Sequence, residues 1–377
     1  MKNRRGSRYH ESPAEFANNT GLRVVTKSTH THYHPVLFIG SAPPKSATAV
    51  FEAISEHVGE LAVAVPDGDQ AGWWFAVLRE YKACPQLEPA GYVQANEGGQ
   101  VQLPLFRLKP GVAPADLRIG TFGYAAQAEK SYAEFKRLRA AGKFAADTRF
   151  QVTFPTPLTT LFTILHRPED ILPAIEAAFK REIDMLLHAV PADDLAISWD
   201  VCEPVSVEVL RRPNDASSMF RGSSARLPSL ELCLEGVGRA AAMVPNSCGL
   251  GFHLCYGSPE DKHVIEPIDT QLLVDFMNGI SARVTRPINW IHFPVPIERD
   301  DAAYFAPLKG LKLHPETKLY LGLVHWEDGT EGAARRIKAA KGVLKDFGVA
   351  TECGLKDTKL EDFPAMLDLH RNIAALL

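Results

Sequence analysis

Short runs of β-branched and aromatic residues alternate along this chain with longer stretches whose apolar positions recur at three- and four-residue intervals. The runs are VLFIG (36–40), LAVAVPDG (61–68), RFQVTFP (149–155), LAISWDV (195–201), GLGFHLCYG (249–257), INWIHFPVP (288–296), LYLGLVH (319–325) and GVATECG (348–354). Between them, helical spacing predicts helices over 45–59, 168–190, 226–244, 267–283, 330–347 and 360–376. Strands alternating with helices predict an α/β fold with a parallel sheet, and eight such units predict a closed (β/α)8 TIM barrel over residues 36–377, with a doubly wound open sheet as the fallback.

One stretch is too long for a standard connection. Residues 92–148 hold GQVQLPLFRLK, a second short run DLRIGTFGY and the charged helical segment AEKSYAEFKRLRAAGKF. They predict a hairpin-helix insertion after the second barrel strand, near the pocket mouth. Residues 1–35 read as a polar lead or an arm across the barrel base.

Composition narrows the class. With 377 residues, 46% hydrophobic and 23% charged, the chain can bury a large core. A formal net charge of −4 argues against nucleic acid as a partner, which would call for a strongly basic face. No run is long and apolar enough for a membrane span, and the basic residues near the N-terminus have no apolar stretch behind them, so the expectation is a cytoplasmic protein with no membrane partner. Six scattered cysteines then read as thiols or metal ligands rather than a disulfide framework.

The ends of the predicted strands carry the chemistry, because barrel enzymes build their sites where strands run into the following loops. That edge holds Ser41, Asp67, Asp69, Thr156, Trp199, Asp200, His253, Cys255, His292, His325 and Cys353. Side chains alternate along a strand, so His253 and Cys255 face one way while Phe252 and Leu254 face the other. His253 and Cys255, with Cys353 from the last strand, form a ligand set suited to zinc. Two sulfur donors make the metal a poor water activator and suit a site that holds a substrate thiol as its thiolate. Asp200 would be costly to bury without a cationic partner, either a substrate amine or an arginine. Asp67 and Asp69 also fit turn chemistry. Cys84, Cys202, Cys233 and Cys248 read as small core residues.

The ordered set of motifs resembles the catalytic barrel of the cobalamin-independent methionine synthase family, within the superfamily that also holds uroporphyrinogen decarboxylase. FHLCYG is similar to that family's H-x-C-Y zinc strand and ECGLKD to its final zinc cysteine. FIGSAPP, VPDGDQAGWW, FPTPLTTL, SWDVCEP and GLVHWED fall in the matching order over residues 36–360. The resemblance implies a zinc-dependent methyl (or alkyl) transferase with a small-molecule thiol acceptor, homocysteine or a related thiol. Its methyl donor would be a folate, a corrinoid or a small methylated compound. Zinc would be bound by His253, Cys255 and Cys353. His292 stands where the family places a fourth ligand, a glutamate, and a hydrogen-bonded wall residue is its other reading. Asp69 and Asp200 would hold the amino group of an amino-acid thiol, and Ser41 would meet the acceptor's carboxylate. Trp199 joins these substrate contacts, with core packing as the alternative, while His325 would assist proton delivery to the leaving group. Departures from the family pattern are Asp69 in place of a glutamate and Val201 where a glutamate follows the aspartate. A zinc-dependent barrel hydrolase and a decarboxylase of the same superfamily are the competing readings. A homodimer through exposed barrel helices is the remaining partner expectation.

Overall fold

The computed structural model describes residues 34–94, 102–215, 227–257 and 263–377; residues 1–33 of the expected lead lie outside them. The strands are, in chain order, β1 (Ala64–Pro66), β2 (Leu87–Gln94), β3 (Gln102–Leu108), β4 (Arg149–Pro155), β5 (Leu195–Val201), β6 (Gly249–Leu254), β7 (Trp290–Pro294), β8 (Lys318–Val324) and β9 (Gly348–Thr351). Seven of them form one curled sheet in the order β1-β4-β5-β6-β7-β8-β9, and every neighbouring pair is parallel.

The first predicted run, 36–40, is not a regular strand, yet it reaches both edges of the sheet. Val36 forms parallel bridges with Ala62 and with Val349. Val36 N–H donates to Leu61 O at 3.1 Å and Leu37 N–H to Val349 O at 3.0 Å. A curled parallel sheet with both edges met by one segment is consistent with a TIM-like barrel.

Alternation divides the side chains between two faces. On one face Phe154, Trp199, Phe252, Ile291 and Leu321 join the large apolar core. On the other, Leu37, Ile39, Ala64, Ala196, Trp290, Tyr320 and Ala350 form a small separate cluster. Glycine makes room there: a Cβ on Gly251 would lie 2.0 Å from the Trp290 ring, and one on Gly348 would lie 2.4 Å from the Tyr320 ring.

The predicted helices are present with slightly shorter bounds, as Ala47–His57, Pro168–Ala189, Leu230–Ala242, Gln271–Arg283, Gly329–Lys341 and Phe363–Ala374. Local chemistry sets several starts. Ser46 Oγ accepts from Ala49 N–H at 3.2 Å, Ser229 Oγ accepts from Leu232 N–H at 3.3 Å, and Pro168 occupies a first turn where its missing N–H costs nothing. Two further helices, Trp73–Ala83 and Glu203–Arg211, escaped the periodicity reading. No helix among the described residues is long and apolar enough to cross a membrane.

The stretch read as an insertion differs in detail. An antiparallel hairpin is present, but it pairs β3 with β2, which begins at Leu87, ahead of the expected boundary. The run DLRIGTFGY forms no strand. Leu117, Ile119 and Phe122 are buried, with Phe122 against Phe179 of helix Pro168–Ala189. The buried Glu182 carboxylate accepts from Phe122 N–H at 2.9 Å and Ala125 N–H at 2.8 Å, capping helix Tyr124–Ala140 from a distant helix. A tertiary cap of this kind replaces a strand partner and leaves no local signature.

Candidate metal and substrate site

Register builds the centre of the site. Across β4, β5, β6 and β7, Pro155 pairs with Asp200, Asp200 with His253, and His253 with His292. Paired residues of parallel strands point to the same side, so Asp200, His253 and His292 form one row, and all three are buried. His253 Nδ1 lies 2.7 Å from His292 Nδ1. One of those nitrogens must donate and the other accept, so His292 orients the His253 ring. Burial, and then the His253 ring, push His292 well below the usual histidine range, which keeps it neutral. His253 Nε2 is buried, stands 3.9 Å from Asp200 Oδ1, and has no hydrogen-bond partner among the described residues.

Sulfur converges on that imidazole. A ring nitrogen of His253 and the sulfurs of Cys255 and Cys353 all lie within 4.8 Å of one another. Cys255 follows β6, and its N–H donates to Val201 O at 2.9 Å. Cys353 follows β9, where its carbonyl accepts from Thr351 Oγ1 at 2.6 Å. In the sheet, β7 and β8 separate these two strands, so curling of the sheet is what brings the thiols together. The Cys202 thiol beside it, and then burial, push the Cys255 thiol well above its ordinary value; Cys255, and then burial, do the same to Cys353. Buried thiols become thiolates when a cation compensates the charge. An unpartnered imidazole nitrogen beside two such sulfurs therefore fits a soft divalent metal of the zinc type.

A second group overlaps the first. Asp200, Cys202 and Cys255 each offer a ligand atom within 4.8 Å of the others. Cys202 Sγ donates to Asp200 Oδ1 at 3.5 Å. Cys202, read from the sequence as core, instead lies half-buried at the site. The missed signal is a repeated spacing: Asp200-x-Cys202 on one strand end mirrors His253-x-Cys255 on the next, in matching register. Burial raises the Asp200 carboxyl to about 7, while the facing Cys202 and Trp73 side chains work the other way.

A cavity is lined by Asp67, Asp69, Trp73, Tyr124, Gln127 and Thr153 among others, and Trp73 also faces the Asp200 carboxyl. Asp67 is committed to structure, accepting from Ser131 Oγ at 2.7 Å and Gln70 N–H at 3.2 Å. Asp69 is held differently, at φ 56°, in the left-handed region that side chains seldom adopt. Burial, then Asp67 and Asp200, push its carboxyl well above the usual range. A Cβ on Gly40 would stand 2.9 Å and 3.0 Å from the Asp69 oxygens, so glycine there leaves space for the carboxylate. Ser41 bridges to Gly68, and its carbonyl accepts from Leu355 N–H at 2.8 Å, joining the loops that follow 36–40, β1 and β9.

His325 is buried just beyond β8. Its Nε2 donates to Val295 O at 2.9 Å, while Nδ1 lies 3.9 Å from Glu352 Oε2. Burial first, and Arg336 next, lower it to about 4, so the ring is neutral at neutral pH. Glu352, which sequence reasoning passed over, also lies 3.5 Å from His263 Nε2. Trp199, expected as a substrate contact, lies on the other face of the sheet. It points opposite to Asp200 and packs against Phe154 and Phe179, with no exposed surface. The physical reason is alternation along β5, which cannot give adjacent residues the same face.

The fold is shared with B12-independent methionine synthases. One, from Shewanella sp. W3-18-1 and in complex with selenomethionine, superposes with a TM-score of 0.60 at 12% identity, covering 91% of this chain and 97% of that one. A putative one from Listeria monocytogenes gives a TM-score of 0.53 at 12% identity, covering 90% and 96%. The expected resemblance thus holds at the level of architecture over nearly the whole chain. No family model and no curated protein matches the sequence.

Proposed function

We propose that the chain is a zinc-dependent methyl (or alkyl) transferase acting on a small thiol, methionine synthase-like in its chemistry. The single observation that carries the reading is the convergence of His253, Cys255 and Cys353, from strands that are not neighbours, on one point beside an unpartnered buried imidazole nitrogen. Architecture shared with methionine synthases supports it at a coarser level. Zinc held by these three residues would lower the pKa of a substrate thiol and keep it as a nucleophilic thiolate.

The remaining residues take roles around that centre. His292 supports His253 from behind, because its Nδ1 is occupied by the hydrogen bond between the rings. The half-buried Asp69 and the buried Asp200, with no arginine ion-paired to either among the described residues, are suited to the ammonium group of an amino-acid thiol, whose positive charge would bring both back to the ionised form. Ser41 would meet the acceptor's carboxylate. His325, facing Glu352, is the group proposed to exchange a proton with the leaving group of the methyl donor. The donor would be a folate, a corrinoid or a small methylated compound.

Elemental analysis of the purified protein and of Cys255→Ser and Cys353→Ser variants tests the metal. About one zinc per chain is expected in the wild type and almost none in either variant. Stoichiometric zinc in both variants would overturn the site. Incubation of the wild type with a thiol panel and methylcobalamin then tests transfer: a methylated thiol is expected, whereas turnover indifferent to the thiol would point to a hydrolase.

A further inference from the structure

Among the described residues, the non-glycine positions with positive φ are Asp69, at 56°, and Trp73, at 42°, and both line the same cavity. Side chains reach that backbone region at a cost, which persists where the surroundings impose it and a ligand site uses it. The turn between them is held at several points. Gly72 N–H donates to Asp69 O at 2.7 Å, and Tyr124 Oη donates to Trp73 O at 2.6 Å. The Arg79 guanidinium donates to Ala71 O at 2.7 Å and stands 2.9 Å from where a Cβ on Gly72 would lie. The backbone of Trp73 is thus fixed, while its ring nitrogen is not: Nε1 is buried and has no hydrogen-bond partner among the described residues. A buried indole N–H ordinarily finds one. This one belongs to a side chain that faces the Asp200 carboxyl. The cavity is lined by the carboxyls of Asp67 and Asp69 and the rings of Trp73 and Tyr124, with no lysine or arginine among the described lining residues. Aromatic rings beside carboxylates suit an organic ammonium group.

We propose that Trp73 is a specificity-determining residue for the acceptor: its indole N–H holds the Asp200 carboxylate and its ring closes the amino pocket, so the site prefers a thiol bearing a primary ammonium to the same thiol without one. The inference rests on the reading of Asp69 and Asp200 as the contacts of an amino-acid thiol and goes beyond it, since that reading gives Trp73 no part. Cys202 Sγ already meets Asp200 Oδ1 at 3.5 Å. A second donor, the indole, fixes the plane of the carboxylate, and the ammonium then bridges it to Asp69.

Calorimetric titration of the zinc-loaded full chain with homocysteine and with mercaptobutyrate, the same thiol lacking the amino group, reads the preference directly. The wild type is expected to favour homocysteine by about 100-fold, and Trp73→Phe, which keeps a ring and removes the N–H, to lose about tenfold of that preference at unchanged zinc content. An undiminished preference in folded Trp73→Phe, or none in the wild type, would overturn the assignment. Failure of both thiols to bind the zinc-loaded wild type would instead remove the underlying reading. Tryptophan emission of the wild type gives a readout free of any substitution. Saturating homocysteine is expected to change it more than saturating mercaptobutyrate, and equal responses would count against Trp73.

Discussion

Trp199 and Asp200 are chain neighbours with opposite surroundings, and they stand for the two faces of the curled sheet. The face of Trp199 packs apolar side chains against the helices from one end of the strands to the other. The face of Asp200 is divided: Trp290, Tyr320 and small residues fill its lower part, and carboxyl, imidazole and thiol groups gather at the C-terminal end. The difference teaches that burial has two meanings here. On one face it removes apolar area from water and stabilises the fold. On the other it removes water from ionisable groups and disfavours their charged forms, which a bound cation would favour again.

Substitutions on the two faces should therefore separate stability from binding. Trp199→Ala is expected to have the largest effect, lowering stability by about 3–5 kcal/mol in chemical unfolding while leaving zinc stoichiometry unchanged. Loss of zinc with retained stability would place Trp199 in the site after all. Asp69→Asn is expected to do the reverse, leaving metal content intact and weakening the amino-acid thiol by about 10–100-fold in calorimetric titration, the worth of a hydrogen bond to a charged group. Equal affinity would remove Asp69 from substrate recognition. His292→Phe should keep the fold and weaken zinc by about tenfold in a chelator competition, because His253 loses the group that orients it. Complete loss of zinc would promote His292 to ligand.

The smallest effect concerns pH. The Asp69 carboxyl is raised well above its ordinary 3.8 in the folded chain, first by burial and then by the carboxyls of Asp67 and Asp200. Below its ordinary value both folded and unfolded chains hold the proton, so the group makes no pH-dependent contribution to stability. As pH rises, the unfolded chain ionises first and stability falls until the raised folded value is passed. Metal-free Asp69→Asn is therefore expected to match the wild type near pH ~4 and to be the more stable of the two near pH ~8, by thermal unfolding. A variant less stable at the higher pH would show that Asp69 is ionised and compensated in the resting chain.

How much of this was legible in the chain depended on whether the signal was local. Strand runs β4 to β9 and the longer helices between them could be read because period two and period 3.6 are written in neighbouring residues, whereas the short helix Glu203–Arg211 after β5 could not. Helix Trp73–Ala83 escaped because it starts from an unusual turn, with Gly72 at φ 98° and Trp73 at φ 42°, in place of a capping side chain. The run DLRIGTFGY reads as a second short strand run because its core contacts are non-local: Leu117, Ile119 and Phe122 are buried, and Phe122 N–H is held by Glu182, from a helix far along the sequence.

Alternation by itself determined that His253 and Cys255 share a face, and the order of the strands determined which loops gather at one end. Tertiary structure alone decided that Cys353 stands beside them, since β7 and β8 intervene and only closure of the curled sheet spans that distance. It also decided that Cys202 stands beside Asp200 and Cys255, because register and the direction of curl are set by packing across many strands and not by any one of them.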